Sequence, residues 1–268
     1  MNSRTVAAVV AVVIIVAAAV GAYAMYSGEE AEDHGSGLFD VSGREIQVYG
    51  PIENVALAGT ECVDAFAAVM GEGWEDYVCM MPADMDGSLP GAQQREPEKA
   101  EIIYDMYPEL QDLPRFPDIY MTLMTGSLSI SGLVESGADM VIMPWANLSY
   151  FPDSVDTLFQ ALDDAGITVV NVDFYNGDYS IGVAESNLAP IGELMDRTDR
   201  VNEIIAWYDG CIENVNDVLA TIPESERGKT VYYELTTDEG HKYGRVVGMG
   251  TNDVTAVGAT NVLSGGVD

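Results

Sequence analysis

Lysine and histidine are nearly missing from this sequence. Three lysines (Lys99, Lys229 and Lys242) and two histidines (His34 and His241) stand in a chain of 268 residues. Eleven basic residues face 44 acidic ones, a formal net charge of -33. A surface of that sign repels polyphosphate backbones, which argues against nucleic acid as a partner. It suits a protein that stays soluble and monomeric in salty surroundings. Cysteine is scarce as well. Cys62, Cys79 and Cys211 are odd in number and lack C-x-x-C spacing, so they describe neither a zinc site nor a disulfide framework and read as buried, unreactive thiols.

Catalytic signatures are missing too. There is no G-x-S-x-G elbow, no H-E-x-x-H pair and no G-x-x-x-x-G-K-[ST] loop. The enzyme alternative, an exported α/β hydrolase or esterase, would have to rest a Ser-His-Asp triad on His241 alone, because His34 falls in a spacer. Without a phosphate-cradling loop, nucleotide hydrolysis belongs to a separate chain. A structural or adhesion protein would be all-β or repetitive, and this chain is neither. The reading is a binding protein, not an enzyme, with no cofactor of its own.

What is present begins with an uncharged stretch, Thr5 to Gly28, long enough as a helix to cross a hydrocarbon layer of ~30 Å. Arg4 precedes it, and Glu29, Glu30, Glu32 and Asp33 follow it. The positive-inside bias therefore places the N-terminus inside and the rest outside the cytoplasm. Residues 1–28 read as a single-pass transmembrane anchor, or as a signal peptide cut after Ala22-Tyr23-Ala24, and 29–37 as a flexible acidic spacer.

From residue 38 short apolar runs alternate with amphipathic stretches, the pattern of an α/β fold with a largely parallel, Rossmann-like sheet. Strands are expected at 55–58, 77–81, 139–143 and 167–172, after a short edge strand carrying Ile46 and Val48. Val63, Phe66, Ala67 and Met70 give helical spacing over 61–70, with Thr60 as N-cap and Gly71 as stop. Val155, Leu158, Phe159 and Leu162 do the same before Gly166. Apolar residues from Leu188 to Leu219 keep helical spacing over 188–222, with Pro190 in the first turn and Pro223 past the end. A helix that long, roughly 50 Å, bridges two lobes; a break near Gly210 is the other reading. A strand over 230–235 and a helix over 252–263 complete the chain. The division is 38–186 for an N-terminal α/β lobe, 187–223 for the bridging helix and 224–268 for the start of a C-terminal α/β lobe, which reads as incomplete.

Several runs carry a family resemblance. Asp40-Val-Ser-Gly43-Arg44, Asn54 to Gly71 with its Thr60-Glu61 pair, Tyr107 to Pro114, Gly126-Ser127-Leu128, Ser136 to Pro144, Leu162 to Asp173, Gly228 to Leu235 and Val257 to Leu263 follow one another in order. In that order they resemble the periplasmic-binding-protein family of iron-siderophore, haem and cobalamin ABC importers. The resemblance implies a substrate-binding subunit that captures an iron or cobalt chelate in an interlobe cleft and hands it to an ABC permease with its ATPase subunit. Two departures stand out. The position where the family's permease-docking glutamate falls resembles Ser131, and the second lobe is short.

In a doubly wound sheet the ligand lies beyond the carboxyl ends of the strands. That points to Gly59-Thr60, 82–87, 144–147 and 173–176, with 236–250 from the second lobe. Trp145 and Tyr175 are candidate aromatic walls, and Met81 and Met85 candidate adaptable contacts. Glu234, Tyr243 and Arg245 are candidates on the second lobe, Arg245 as a fork for a carboxylate or phosphate. His241 with Tyr243 forms a candidate axial pair for haem iron, though His241 reads equally as a solvated loop residue. No metal site of the chain's own is expected. Asn147-Leu148-Ser149 is a glycosylation sequon.

Overall fold

Strand residues here alternate between two cores, and that alternation builds the molecule from the middle outwards. The computed structural model describes residues 35–88, 97–119, 123, 130–148, 151–174, 181–223, 226, 229–232, 234–236, 242–244 and 259–261. The stretch 5–28 and most of the spacer lie outside them. Among the described residues no helix is long and apolar enough to cross a membrane.

The central sheet has five parallel strands in the order β5-β4-β3-β6-β7: β3 Val55–Leu57, β4 Val78–Pro82, β5 Arg115–Phe116, β6 Met140–Pro144 and β7 Thr168–Val172. Successive side chains of a strand point to opposite faces. Val55, Leu57, Met140, Ile142, Val170 and Val172 therefore enter one core, and Ala56, Val141, Met143 and Val169 the other. All five residues of β6 and all five of β7 are buried, as a parallel sheet covered on both faces requires.

The first core is roofed by α1 Thr60–Met70, α3 Pro97–Met106 and α7 Ile181–Leu194. Phe66, at the centre of α1's apolar stripe, is fully buried. Such a side chain contributes about 1.5–3 kcal/mol. Gly71 ends α1 at φ 71, its N–H donating to the Ala67 carbonyl. The second core is roofed by α4 Ile130–Ser136 and α6 Pro152–Asp164, whose Val155, Leu158, Phe159 and Leu162 all turn inward as their spacing predicts. Gly166, at φ 70, turns the chain from α6 into β7.

A hairpin of β1 Gly35–Phe39 and β2 Glu45–Gln47 closes the β7 side. Residues 35–37, expected in the spacer, are therefore strand. The D-x-x-G-R run acts as a double staple. Asp40 accepts hydrogen bonds from the backbone N–H and side-chain amide of Asn171 on β7, at 3.0 and 2.7 Å. Arg44 donates twice to Asp163 on α6, at 2.7 and 2.9 Å, and lies 4.8 Å over the Phe159 ring. At the amino end of the sheet, Asp139 accepts from the backbone N–H groups of Glu53 and Asn54, fixing the entry to β3.

The long helix expected over 188–222 is two helices, α7 and α8 Thr198–Thr221. The chain breaks between them, where Asp196 takes the left-handed conformation at φ 54. Asp tolerates that region better than most side chains, so no glycine marks the turn. Helix α8 runs unbroken through Gly210, and Pro190 stands inside α7, not in a first turn. The run 230–235 is likewise divided into β8 Thr230–Val231 and β9 Glu234–Thr236, which pairs antiparallel with β10 Lys242–Gly244. Within the helix expected over 252–263, the described Thr260–Asn261 is instead strand β11, parallel to β8. Backbone hydrogen bonding to β8 overrides the helical spacing there.

Candidate functional site

The carboxyl ends of β3, β4, β5, β6 and β7 share one edge of the sheet. At the end of β3 the chain passes close to β6: a Cβ on Gly59 would lie 3.0 Å from Glu61 Oε2 and 3.1 Å from Pro144 Cγ, a tight fit that favours a residue without a side chain. Gly59 occupies the cap position and makes no side-chain cap bond, while Thr60, expected as the cap, is the first residue of α1. The buried Thr60 hydroxyl donates to Glu61 Oε2 at 3.3 Å.

After β4 comes a single turn, α2 Ala83–Asp86, with Ala83, Asp84 and Met85 all buried. The Cys62 thiol is pushed well above its ordinary value by burial first, and then by the charges of Glu61 and Asp84. Cys62 is thus inert as a nucleophile. Burial also raises Cys79, half-buried beside Ser136 at 3.8 Å. All three cysteines are free; Cys62 is buried as expected, while Cys79 and Cys211 are only partly buried.

Asp118 follows β5 and Asp173 follows β7, both buried. Asn187 of α7, fully buried, pins the exit from β7: its Oδ1 accepts from the Asp173 N–H, and its amide donates to the Asp173 carbonyl at 2.9 Å. The floor of this edge therefore carries Thr60, Glu61, Asp84, Asp118 and Asp173. Among the described residues no group of three or more His, Cys, Asp or Glu is arranged to hold a metal ion.

The expected ligand contacts distribute unevenly. Met81 and Met85 are fully buried in the first core with Tyr104 and Leu110, so they support the edge from beneath instead of facing a ligand. Trp145 opens α5 Trp145–Leu148 directly after β6 and is half-buried. It lines a groove of about 380 Å3 along α6, together with Arg44, Val155, Phe159, Asp156 and Asp163. Its surroundings are thus the flank of the lobe as well as the end of the strand. Tyr175, His241 and Arg245 lie outside the described residues. Glu234 and Tyr243 fall on the β9–β10 hairpin but are not paired: Glu234 stands opposite Gly244, and Tyr243 opposite Leu235.

Sequence reasoning missed Asn187 and a hub around Arg115. Arg115 Nε donates to Asp86 Oδ2 at 3.0 Å, and its Nη atoms donate to the carbonyls of Leu110, Leu113 and Gln111. Tyr104 donates to the same Asp86 oxygen at 2.8 Å, and its ring lies 5.4 Å under the guanidinium. Burial pushes the Asp86 carboxyl up, but the hydrogen bonds from Ser88 and Tyr104 and the charge of Arg115 outweigh it and hold it below the ordinary range. Arg115 follows Pro114 on a two-residue edge strand, so no periodicity signals its role.

No protein-family model and no curated protein matches this chain. Solved structures do. A TroA-like periplasmic binding protein, FepB from Veillonella parvula, superposes with a TM-score of 0.66 at 18% identity, over 86% of this chain and 63% of its own. The siderophore-binding protein BauB, bound to two molecules of acinetobactin and ferric iron, gives 0.52 at 17% identity, over 81% and 64%. A periplasmic haem-binding protein from Pseudomonas aeruginosa gives 0.51 at 15%, over 78% and 62%. The chain has the TroA-like periplasmic-binding-protein fold. It spans less than two thirds of the length of these three proteins.

Proposed function

We propose that this chain is the extracytoplasmic substrate-binding subunit of an ABC importer, taking an iron complex (siderophore or haem) or a cobalamin-like chelate and delivering it to a permease. The observation that carries the reading is the fold: a chain built on a five-stranded parallel sheet superposes on FepB over 86% of its length. Beside it stands the carboxyl-edge floor, where the doubly wound architecture places ligands. The cargo lies over Thr60 and the α2 turn, with Trp145 and Tyr175 as walls on this lobe and Glu234, Tyr243 and Arg245 on the second. The stretch 5–28 tethers or exports the chain, the protein acts as a monomer, and the partners are a permease and a separate ATPase. Ser131, exposed at the start of α4, stands where the family resemblance puts a docking glutamate, so permease contact on this lobe uses other groups.

Titration calorimetry and thermal unfolding with a ferric hydroxamate chelate, haemin and cyanocobalamin test the reading. A cargo at 100 times its Kd raises stability by about 2.7 kcal/mol. Saturable binding of one probe with that shift supports it. No shift with any probe, with turnover of a chromogenic ester that His241→Ala abolishes, would move the assignment to an exported hydrolase.

A further inference from the structure

The Arg115 hub is built more heavily than a two-residue edge strand needs. Its guanidinium is nine-tenths buried beside an Asp86 carboxylate whose side chain is 15% exposed. Four of its five N–H donors find acceptors, three of them carbonyls of the single turn Pro108–Asp112 and its exit at Leu113. Asp86 is the last residue of α2, and its Oδ1 accepts from Ser88 N–H at 2.9 Å, closing the turn behind Gly87. The guanidinium thus ties α2, about thirty residues upstream, to the turn just before its own strand, and Tyr104 of α3 shares the same Asp86 oxygen. The tied piece that reaches the carboxyl edge is α2, which directly follows β4, the neighbour of the β3 strand that leads into α1.

We propose that Arg115, acting through Asp86 and Tyr104, is a positioning residue for the binding floor: it touches no cargo, and it holds the 83–87 turn in the one placement that completes the edge beside Thr60 and Glu61. The proposal rests on the solute-binding reading. Lysine cannot replace the residue, because an ammonium carries three donors on one atom and cannot span Asp86 and three carbonyls as a planar fork does.

The test compares wild type with Arg115→Lys, Asp86→Asn and Tyr104→Phe. Amide hydrogen exchange is followed without ligand, and affinity is measured for whichever of the three probes the wild type binds. Arg115→Lys and Asp86→Asn should speed exchange at residues 83–88 about tenfold, the scale of one lost charge-assisted hydrogen bond. Amides of β7 and α6 should be unchanged. Probe affinity should fall about tenfold in the same two variants, with Tyr104→Phe intermediate. Exchange that stays at wild-type rates, or rises uniformly through the sheet, overturns the hub. Local loosening with unchanged affinity overturns its positioning role. Failure of the solute-binding reading appears separately, as no probe bound by the wild type, and withdraws the positioning role along with it.

Discussion

The two halves of α8 carry one apolar stripe and meet different surroundings. In the first half Val201 is buried against α7, and Ile204 and Ile205 pack on the first core. In the second half Val215 and Val218 are exposed, at 42% and 63%. The spacing that predicts a helix is the same in both, but the first half buries apolar side chains where the second leaves Val215 and Val218 exposed. Periodicity therefore reports helix formation, and burial depends on what the rest of the chain brings alongside. Glycine makes the contrast sharper. A Cβ on Gly192 of α7 would fall 2.5 Å from Val201 Cγ2, whereas one on Gly210 of α8 meets nothing within 4 Å.

Substitutions should separate the two halves. The largest effect is expected for Gly192→Val, which forces α7 and α8 apart and should cost about 2–3 kcal/mol in urea unfolding. A cost near zero would show that the crossing gives way easily. Val201→Ala, removing two buried methyl groups at the same crossing, should cost about 1–2 kcal/mol. The sign reverses in the second half: Gly210→Ala should raise stability by about 0.5–1 kcal/mol, since it only restricts the unfolded chain and improves helix propensity. Val218→Ala should fall within about 0.5 kcal/mol of wild type. A larger loss there would reveal a covering surface.

A smaller difference separates two ion pairs in acid. Arg200 and Glu203 of α8 meet at 3.2 Å with side chains 48% and 70% exposed, while Arg115 and Asp86 are nearly enclosed. The folded Asp86 carboxyl lies below its unfolded value of about 3.9. Its contribution is whole above that unfolded value and is lost as pH falls through the lower folded one. Asp86→Asn should therefore flatten the stability-pH slope below about pH 4, and Glu203→Gln, at the exposed pair, should change stability by less than about 1 kcal/mol.

Much of the fold was legible because it is local. The β3–α1 and α6–β7 units announce themselves through apolar spacing and through Gly71 and Gly166, and their order places the carboxyl edge without further information. The D-x-x-G-R run was visible as a resemblance, but its work, stapling the hairpin to β7 and α6, depends on partners 131 and 119 residues away. Asn187 and Arg115 left no trace because their partners are backbone groups and a carboxylate that no apolar spacing marks. The break at Asp196 escaped because the apolar spacing resumes at Val201 after one skipped turn, with no glycine or proline between. Met81 and Met85 sit on strand and turn positions that face the core, which residue type alone does not reveal. Thr60 was expected as a cap but is the first residue of α1, with Gly59 at the cap position.

The account stands on cargo resting over the carboxyl edge of the sheet. Amide exchange with and without the tightest-binding chelate tests it directly. Protection should rise at residues 59–61, 83–87, 118–119, 145 and 173–174, and stay unchanged at Asn54, Asp139 and Gly166 on the opposite edge. A footprint on that opposite edge, or along the second half of α8, would contradict it.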